Sequence, residues 1–265
     1  MIEIYKYKKY IHVQNYSDEK NTFENKIEFT EKQLEFIKST KVFLLYYKID
    51  KIITNIPNTI THIIFFINNS EVQDYLPKNT IYIEFNWRFN NCVDNLPPNL
   101  LNLQFGLYFN LPVDNLPMGL KRLQFGEQFN HPVNYLPESL ENIGFGMYFN
   151  QDISNLPVGL KFIQLGQFFS YPINNLPNSV QIIRFAQSNH NFKHDIYKLP
   201  KNIKTIVLPW IYFGKIKTNI PDSLEKIIIT HRYLFDNQIN DLSLDLGISD
   251  EKIIFDKDYK VNFFQ

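Results

Sequence analysis

The sequence predicts a β-rich repeat protein, a parallel-strand solenoid of 20-residue coils with little helix. Three observations predict it. Prolines recur at a fixed spacing, apolar residues recur at fixed positions after each proline, and four consecutive units are near-copies of one another. The solenoid is expected over residues 37–246 as about ten coils, most regular over 77–177. Prolines 20 residues apart set the spacing, at Pro57, Pro77, Pro97, Pro117, Pro137, Pro157 and Pro177.

Each coil repeats one apolar pattern. With the proline as position zero, apolar residues recur at +3, +6, +8, +12 and +16, and leucine or isoleucine precedes the proline. One coil cannot enclose these side chains, but stacked coils bury them against their counterparts. The four near-copies begin at Leu96, Leu116, Leu136 and Leu156 and read LPPNLLNLQFGLYFNLPVDN, LPMGLKRLQFGEQFNHPVNY, LPESLENIGFGMYFNQDISN and LPVGLKFIQLGQFFSYPINN.

A short strand is predicted in every coil. Leu103 and Phe105 flank the variable Gln104, the two-residue period of a strand with one buried face. The glycine that follows at +9, such as Gly106, predicts a turn with positive φ at the end of the strand. The proline at zero, with Gly119 two residues after Pro117, predicts a type I turn with proline in its second position.

The return path of each coil is predicted to be extended or 3₁₀-like, because a second proline at +15, such as Pro112 or Pro132, excludes a regular helix. The asparagine at +13, from Asn90 to Asn150, is interpreted as a structural ladder that bonds backbone groups of its own or the adjacent coil. The phenylalanines at +12 are expected to form a buried spine: Phe89, Phe109, Phe129, Phe149 and Phe169.

These residues carry a resemblance to a known family. The recurring Phe-Asn-x-Pro-Val/Ile segments, as in Phe109 to Val113 and Phe129 to Val133, followed by Leu-Pro, resemble FNIP repeats. The resemblance is close over residues 77–177 and looser on both sides. It implies a leucine-rich-repeat-like, horseshoe-like fold and a protein-interaction role, in a family found in social amoebae and in giant viruses of amoebae. It implies no catalytic residue.

The two ends depart from the repeat. Residues 1–36 are interpreted as an N-terminal cap with a short helix over Glu31 to Lys38, and 247–265 as a C-terminal cap strand. Val42 to Tyr46 is predicted to be the strand of an extra coil. After Pro177 the coil carries three extra residues in the segment 187–195, where the phenylalanine of the motif appears late as Phe192, and the extra residues are predicted to protrude as a loop.

Composition limits the classes of partner and the cellular location that the sequence predicts. Lysine plus arginine and aspartate plus glutamate number 27 each, so net charge predicts neither a nucleic-acid nor a membrane partner. A single cysteine, Cys92, excludes an intramolecular disulfide and favours a reducing compartment. No run of about 18 apolar residues is present. A cytoplasmic location is expected, in the host cytoplasm if the protein is viral.

Neither a cofactor nor an enzyme activity is predicted. His190 and His194 are spaced like two metal ligands on one face of a helix, but no glutamate of an HExxH pattern lies between them. Asp94 and Asp114 align at +17, but Asn134 continues that column, which disfavours a polysaccharide-cleaving carboxylate cluster.

Two surfaces are candidates for binding. The strand face, at +5 and +7, varies while the core repeats, and a protein partner is predicted to dock there. The aromatic stripe, at +10 and +11, consists of Trp87, Tyr108, Tyr148 and Phe168, and is the alternative, as a site for carbohydrate or another ligand, unless these rings pack against adjacent coils. The strand face consists of Tyr82, Glu84, Asn102, Gln104, Arg122, Gln124, Asn142, Gly144, Phe162, Gln164, Ile182 and Arg184.

Overall fold

The computed structural model describes residues 2–7, 10–15, 25–69, 71–209, 212, 214–229 and 253–255. The chain divides into two compact units, unit 1 (Met1–Gly126) and unit 2 (Glu127–Gln265). The elements of unit 1 are β1 (Ile2–Tyr7), β2 (Tyr10–Asn15), β3 (Lys26–Ile27), α1 (Glu31–Ser39), β4 (Leu44–Tyr47), β5 (Ile52–Ile53), β6 (His62–Phe65), a 3₁₀ helix (Glu71–Tyr75), β7 (Tyr82–Glu84), β8 (Asn102–Gln104) and β9 (Arg122–Gln124).

One sheet runs through unit 1 in the order β1-β2-β4-β6-β7-β8-β9. All of its pairs are parallel except the first, in which β1 pairs antiparallel with β2. In the regular coils the register advances by 20 residues, so that Leu103 lies beside Leu123. The predicted strand over Val42 to Tyr46 is confirmed as β4, one or two residues further on.

The start of the chain does more than precede the repeat. Strand β2 lies parallel to β4 within the main sheet, and β3 pairs with β5 in a small second sheet. The predicted helix is confirmed as α1; Thr30 and Gln33 form a capping box at its N-terminus, which satisfies backbone N–H groups that lack helical partners. That residues 1–36 act as a cap stays a prediction.

The elements of unit 2 form a parallel sheet in chain order. The prediction of a C-terminal strand is confirmed for Ile253–Phe255, which pairs with Lys226–Ile229; the remainder of 247–265 lies outside the described residues. Within those residues α1 is the one α-helix of the chain, as the sequence predicts. The strands of unit 2 are β10 (Asn142–Gly144), β11 (Phe162–Leu165), β12 (Ile182–Phe185), β13 (Thr205–Leu208), β14 (Lys226–Ile229) and β15 (Ile253–Phe255).

The core consists of the predicted columns. The phenylalanine spine at +12 is confirmed, since all five side chains are fully buried. In unit 1 the rings of Phe89 and Phe109 are stacked with centroids 6.2 Å apart, and in unit 2 those of Phe149 and Phe169 lie 6.3 Å apart at an interplanar angle of 2°. Burial of one such ring is worth about 1.5–3 kcal/mol.

The asparagine ladder at +13 is also confirmed. The Asn90 Oδ1 accepts a hydrogen bond of 2.9 Å from the backbone N–H of Asn110, and the Asn130 Oδ1 accepts one of the same length from Asn150. The next coil has serine at this position, and its backbone N–H donates to the Asn150 Oδ1 at 2.9 Å. Each amide therefore satisfies a backbone donor of the following coil.

The proline turn differs from the prediction. The backbone N–H of Leu100 donates to the carbonyl of Pro97 at 3.1 Å, and that of Leu120 donates to Pro117 at 3.0 Å. Proline therefore occupies the first position of the hydrogen-bonded turn, not the second. It contributes only its carbonyl, so its missing N–H costs nothing at this corner.

The +9 glycines have a different role from the one predicted. None of Gly106, Gly126 and Gly166 has a positive φ. A Cβ on Gly126 would lie 1.8 Å from the carbonyl oxygen of Gly106, and one on Gly166 would lie 1.7 Å from that of Gly146. At these three positions glycine is required because the backbone of the preceding coil lies too close for a side chain.

The coil after Pro177 is three residues longer, and its extra length includes both buried and exposed side chains. His190, Lys193 and His194 are exposed, whereas Asn189 and Phe192 are fully buried. The interpretation of Phe192 as the late phenylalanine of the motif is therefore confirmed, whereas the burial of Asn189 departs from the prediction of a protruding loop. Phe192 joins the spine, with its ring centroid 6.5 Å from that of Phe169.

Candidate interaction surface

The predicted strand face of unit 1 forms two rows of half-exposed side chains. In the first row Tyr82 lies beside Asn102 and Asn102 beside Arg122; in the second, Glu84, Gln104 and Gln124 follow one another. All six are partly exposed. The Arg122 Nη1 donates to the Asn102 Oδ1 at 3.3 Å, so one polar side chain orients the next.

The face continues beyond the predicted residues into β2, β4 and β6. His12 lies beside Tyr46 in the register, and His62 lies beside Tyr82. Tyr10 also lies on β2, and its ring contacts those of His12 and Tyr46. The sequence reasoning missed Tyr10, His12 and Tyr46 because no proline of the 20-residue spacing precedes their strands, and it missed His62 although that residue lies at +5 after Pro57. The alternation of buried and outward residues in β4 is the signal that points to Tyr46.

Unit 2 presents a similar face on β10, β11 and β12. Gln164 lies between Gly144 and Arg184 in one row, and the Arg184 Nη1 donates to the Gln164 Oε1 at 3.4 Å. Phe162 was predicted to be exposed on this face, which is wrong because it is only 5% exposed. Its neighbours in the strand register are Asn142 and Ile182. Gly144 is buried too, whereas Asn142, Gln164, Ile182 and Arg184 are partly exposed.

The residues of the aromatic stripe are exposed and also contact one another. In unit 1 the Trp87 and Tyr108 rings lie 5.7 Å apart, and the Arg88 guanidinium lies 4.4 Å from the Trp87 ring centroid. In unit 2 the Tyr148 and Phe168 rings are stacked 5.2 Å apart at 13°. Exposure ranges from 37% at Phe168 to 50% at Trp87. Both interpretations, solvent exposure and packing between coils, therefore hold in part.

The ionisation of the strand face favours neutral rings. Burial lowers the pKa of His62, and burial together with the Lys48 charge lowers the pKa of His12. Burial, and next the Glu84 carboxylate that accepts its hydrogen bond at 2.9 Å, raise the pKa of the Tyr82 hydroxyl. The imidazoles and the phenol therefore stay uncharged at neutral pH, so they can contact an apolar partner at a low desolvation cost.

The residues considered for catalysis or metal binding have structural contacts. Within the described residues, no three His, Cys, Asp or Glu side chains are grouped to hold a metal ion. The His194 Nε2 lies 2.7 Å from the Ser170 carbonyl oxygen. Cys92 is exposed, its thiol donates to Asp94, and that bond raises the pKa of the thiol. A thiol held in this way is a poor nucleophile.

The +17 column is part of a second side-chain ladder. The Asn95 Nδ2 donates to the Asp74 Oδ1 at 2.9 Å, and the Asn115 Nδ2 donates to the Asp94 Oδ1 at the same distance. Hydrogen bonds from Cys92 and then Asn115 lower the pKa of Asp94. These carboxylates link successive coils, so they are ill suited to act as general acids.

No helix in the described part of the chain combines the length and apolar character needed to cross a bilayer. Comparison with solved structures shows the fold. CroV588, a circular leucine-rich-repeat protein from a giant virus, superposes with a TM-score of 0.55 at 23% identity, over 88% of this chain and 42% of its own length. The chain thus spans less than half of that protein.

Two further solved structures match with low TM-scores. YopM from Yersinia enterocolitica WA-314 matches at 16% identity with a TM-score of 0.29, over 71% of this chain and 55% of its own. A leucine-rich-repeat protein from Bacteroides ovatus ATCC 8483 matches at 14% identity with a TM-score of 0.25, over 87% and 70%. No match is found among curated proteins.

The sequence also matches a known repeat. The FNIP Repeat family model matches residues 68–108, 109–147 and 132–168, which cover most of the region where the Phe-Asn segments are most regular. These tandem matches carry the spine, the ladder and the glycine contacts described above. The chain therefore contains tandem FNIP repeats over residues 68–168, and its fold is a leucine-rich-repeat-like, parallel-strand solenoid.

Proposed function

We propose that the chain is a non-catalytic FNIP repeat protein that binds another protein on the outward face of its parallel strands. One observation carries the proposal: the outward residues change from coil to coil while the core beneath them stays constant. At +5, for example, Tyr82, Asn102 and Arg122 follow one another. Side chains that vary over a constant scaffold serve specificity rather than folding.

The chemistry of the face suits a protein partner. Its side chains are partly ordered before binding, because Tyr82 bonds Glu84, Arg122 bonds Asn102, and the Gln124 amide donates to the Phe125 carbonyl at 2.8 Å. Ordering a long side chain at an interface otherwise costs about 0.5–1.5 kcal/mol. Arginine and tyrosine are also enriched among the residues that dominate protein interfaces.

The same proposal accounts for the other properties of the chain. Neutral net charge gives no long-range attraction to nucleic acid or to an anionic membrane. The carboxylates at Asp74 and Asp94 bond to neighbouring coils instead of forming a catalytic pair. A cytoplasmic location belongs to the proposal, because a chain with one cysteine gains nothing from an oxidising compartment.

Affinity purification of the tagged full chain from its native cells tests this function. The test variant carries Gln104→Ala, Arg122→Ala and Gln124→Ala, which remove three outward side chains of unit 1. The matched control carries Lys78→Ala and Met118→Ser, two exposed residues that follow the proline of their coils. We expect a partner that is recovered with the control and lost with the test variant, while both keep the thermal unfolding midpoint of the unaltered chain.

Recovery of the same partners by both variants would contradict binding on the strand face of unit 1. The corresponding triple change in unit 2, of Asn142, Gln164 and Arg184 to alanine, and the change of Tyr46 and Phe66 to serine at β4 and β6 of unit 1 then decide whether any strand face is used. If these two variants also keep every partner, the proposal is wrong.

A second candidate function is carbohydrate binding on the aromatic stripe. The observation that favours it is the stacked, exposed pair of Tyr148 and Phe168, since flat exposed rings are suited to pack against sugar rings. A glycan array probed with the full chain and with a variant carrying Tyr148→Ala and Phe168→Ala tests it. Binding that only the unaltered chain shows supports this function, and no glycan bound by either protein excludes it.

A further inference from the structure

The strand face of unit 1 is aromatic at one end and rich in amides at the other. On β8 and β9 the outward residues include Asn102, Gln104 and Gln124. On β2, β4, β6 and β7 rings take their place, and Phe66 follows directly after β6. We name this cluster the aromatic patch, defined as Tyr10, His12, Tyr46, His62, Phe66 and Tyr82.

The rings of the aromatic patch support one another without being covered. His12 and Tyr46 are stacked with centroids 4.5 Å apart at 8°, and the Tyr10 ring meets the Tyr46 ring edge-on at 5.1 Å. His62 and Tyr82 are stacked 5.6 Å apart. Phe66 is 48% exposed, and the others are partly exposed. The patch therefore offers a preordered apolar surface to solvent.

A positive charge lies within this surface. The Lys48 ammonium lies 4.9 Å from the Phe66 ring centroid and 6.0 Å from that of Tyr46. Among the described acidic residues, none forms an ion pair with Lys48. Its charge also opposes protonation of His12. A ligand carboxylate placed here would meet a cation that no described acidic residue neutralises.

The rest of the face carries one charge of each sign. Among the described outward residues of β2, β4 and β6–β9, Glu84 is the one carboxylate, and it accepts a hydrogen bond from Tyr82. Arg122 is a cation on β9. Lys48 and Arg122 together therefore leave the face with one positive charge in excess over Glu84. A partner with an acidic group beside an apolar anchor matches this surface at Lys48 and the rings around it.

We propose that the aromatic patch anchors the partner, and that the partner contributes a protein segment in which an aromatic or long aliphatic side chain lies within two residues of an Asp or Glu. This inference rests on the proposed function and specifies the chemistry of its partner. The apolar side chain packs against the rings of Tyr46 and Phe66, and the carboxylate pairs with the Lys48 ammonium. Clustered aromatic residues of this kind supply most of the binding energy at many protein interfaces.

A displayed library of random 12-residue peptides, panned on the full chain, tests the inference. Four proteins are panned in parallel: the unaltered chain, Phe66→Ser with Tyr46→Ser, Phe66→Ser alone, and Gln104→Ala with Gln124→Ala. The single change is included because Phe66 is half exposed and its loss is not expected to disturb folding. The enriched peptides are then synthesised, and their affinities are measured by fluorescence anisotropy at low and physiological salt.

We expect enriched peptides to combine an aromatic or aliphatic residue with a nearby Asp or Glu. Their affinity should fall about tenfold or more with Phe66→Ser, the size typical of an interface hot spot. Lys48→Glu should weaken the same peptides by about tenfold, and salt should weaken their binding to the unaltered chain. Lys193→Glu, an exposed lysine of unit 2, is the matched charge control and should leave the affinity unchanged.

The outcomes separate this inference from the proposed function. Peptides that lose affinity with the Gln104 and Gln124 change but not with Phe66→Ser overturn the aromatic patch and leave the strand face as the binding surface. Enrichment of basic peptides, or tighter binding by Lys48→Glu, overturns the acidic partner. If no enriched peptide loses affinity with either variant, the result counts against both proposals.

Discussion

The coils that begin at Pro157 and Pro177, both in unit 2, bring a phenylalanine to the same buried spine by different routes. In the first coil Phe169 occupies +12, and its backbone N–H donates to the Gly166 carbonyl. In the second coil Asn189 occupies +12 and makes the equivalent bond to Ala186 at 3.0 Å. Phe192, three residues later, supplies the ring that stacks on Phe169.

The Asn189 side chain stabilises the longer coil, in which Phe192 replaces the phenylalanine at +12. Its Nδ2 donates to the carbonyl oxygens of Gly166 at 2.9 Å and Phe169 at 3.0 Å, and its Oδ1 accepts from the backbone N–H groups of Asn191 and Phe192 at 2.9 Å each. The amide thus binds the extra residues to the preceding coil. The comparison teaches that the spine is the fixed requirement of the fold, while the backbone around it can change if its polar groups are satisfied.

The largest expected effect tests whether the two routes are energetically equivalent. Phe149→Ala in a regular coil and Phe192→Ala in the longer one should each lower the free energy of unfolding by about 3–5 kcal/mol, because both rings are fully buried. Urea unfolding followed by circular dichroism measures this. Phe168→Ala is the matched exposed control and should cost less than about 1 kcal/mol. If only Phe192→Ala lowered the free energy of unfolding by a small amount, the two coils would not depend equally on their buried rings.

A second prediction removes the side chain that holds the longer coil. Asn189→Leu keeps the approximate volume but leaves buried backbone donors and acceptors without partners, at about 1–3 kcal/mol for each group that finds no substitute. We expect a loss of about 3 kcal/mol, measured by the same urea unfolding. Asn191→Leu, two residues away on the exposed surface, should change stability by about 0.5 kcal/mol at most. Equal effects of the two changes would mean that the four hydrogen bonds of Asn189 are not needed.

A third prediction concerns the close contact between coils at +9. The residue at this position is Gly166 in the regular coil and Ala186 in the longer one. In Gly166→Ala the new Cβ would lie 1.7 Å from the Gly146 carbonyl oxygen, so the backbone must shift. Overpacking of this kind costs about 1–3 kcal/mol. In the control Gly159→Ala the nearest atom lies 3.6 Å away, and stability should change little or rise by about 0.4–1 kcal/mol. Unfolding midpoints in urea distinguish the two substitutions.

The spine and the strands could be predicted because their signal is periodic. Every 20 residues the same apolar types recur, and the strand alternation around Gln104 identifies its buried and outward sides. The role of the +9 glycine could not be predicted in this way. The contact that requires it, from Gly166 to the Gly146 carbonyl, involves the backbone of another coil, and one coil by itself suggests only a turn.

The candidate surface was predicted only where it follows the repeat. Tyr82 and Arg122 were identified because they hold fixed positions after a proline. Tyr10 and His12 lie on β2, which joins the sheet from a segment with no proline spacing, so only tertiary pairing places them on the face. Phe162 shows the opposite failure, since its position predicts exposure but its side chain is only 5% exposed.

The smallest expected effect compares the exposed asparagine ladder with the buried amide of Asn189. The Asn150 Oδ1 accepts hydrogen bonds from the backbone N–H and the hydroxyl of Ser170, at 2.9 and 3.0 Å, in a partly exposed position. Asn150→Ala should therefore cost about 1 kcal/mol, because water can replace the lost acceptor. Hydrogen exchange of the Ser170 amide should accelerate in this variant.

Asn155→Ala provides the control for the ladder. The Asn155 amide is exposed and donates to the Asn134 Oδ1 over a long distance of 3.5 Å, so this hydrogen bond is weak. It should leave both the stability and the exchange of the Ser170 amide unchanged. If Asn150→Ala costs as much as Asn189→Leu, burial does not set the strength of these amide contacts. If it costs about a third as much, the longer coil depends on a buried polar contact in a way that the regular coils do not.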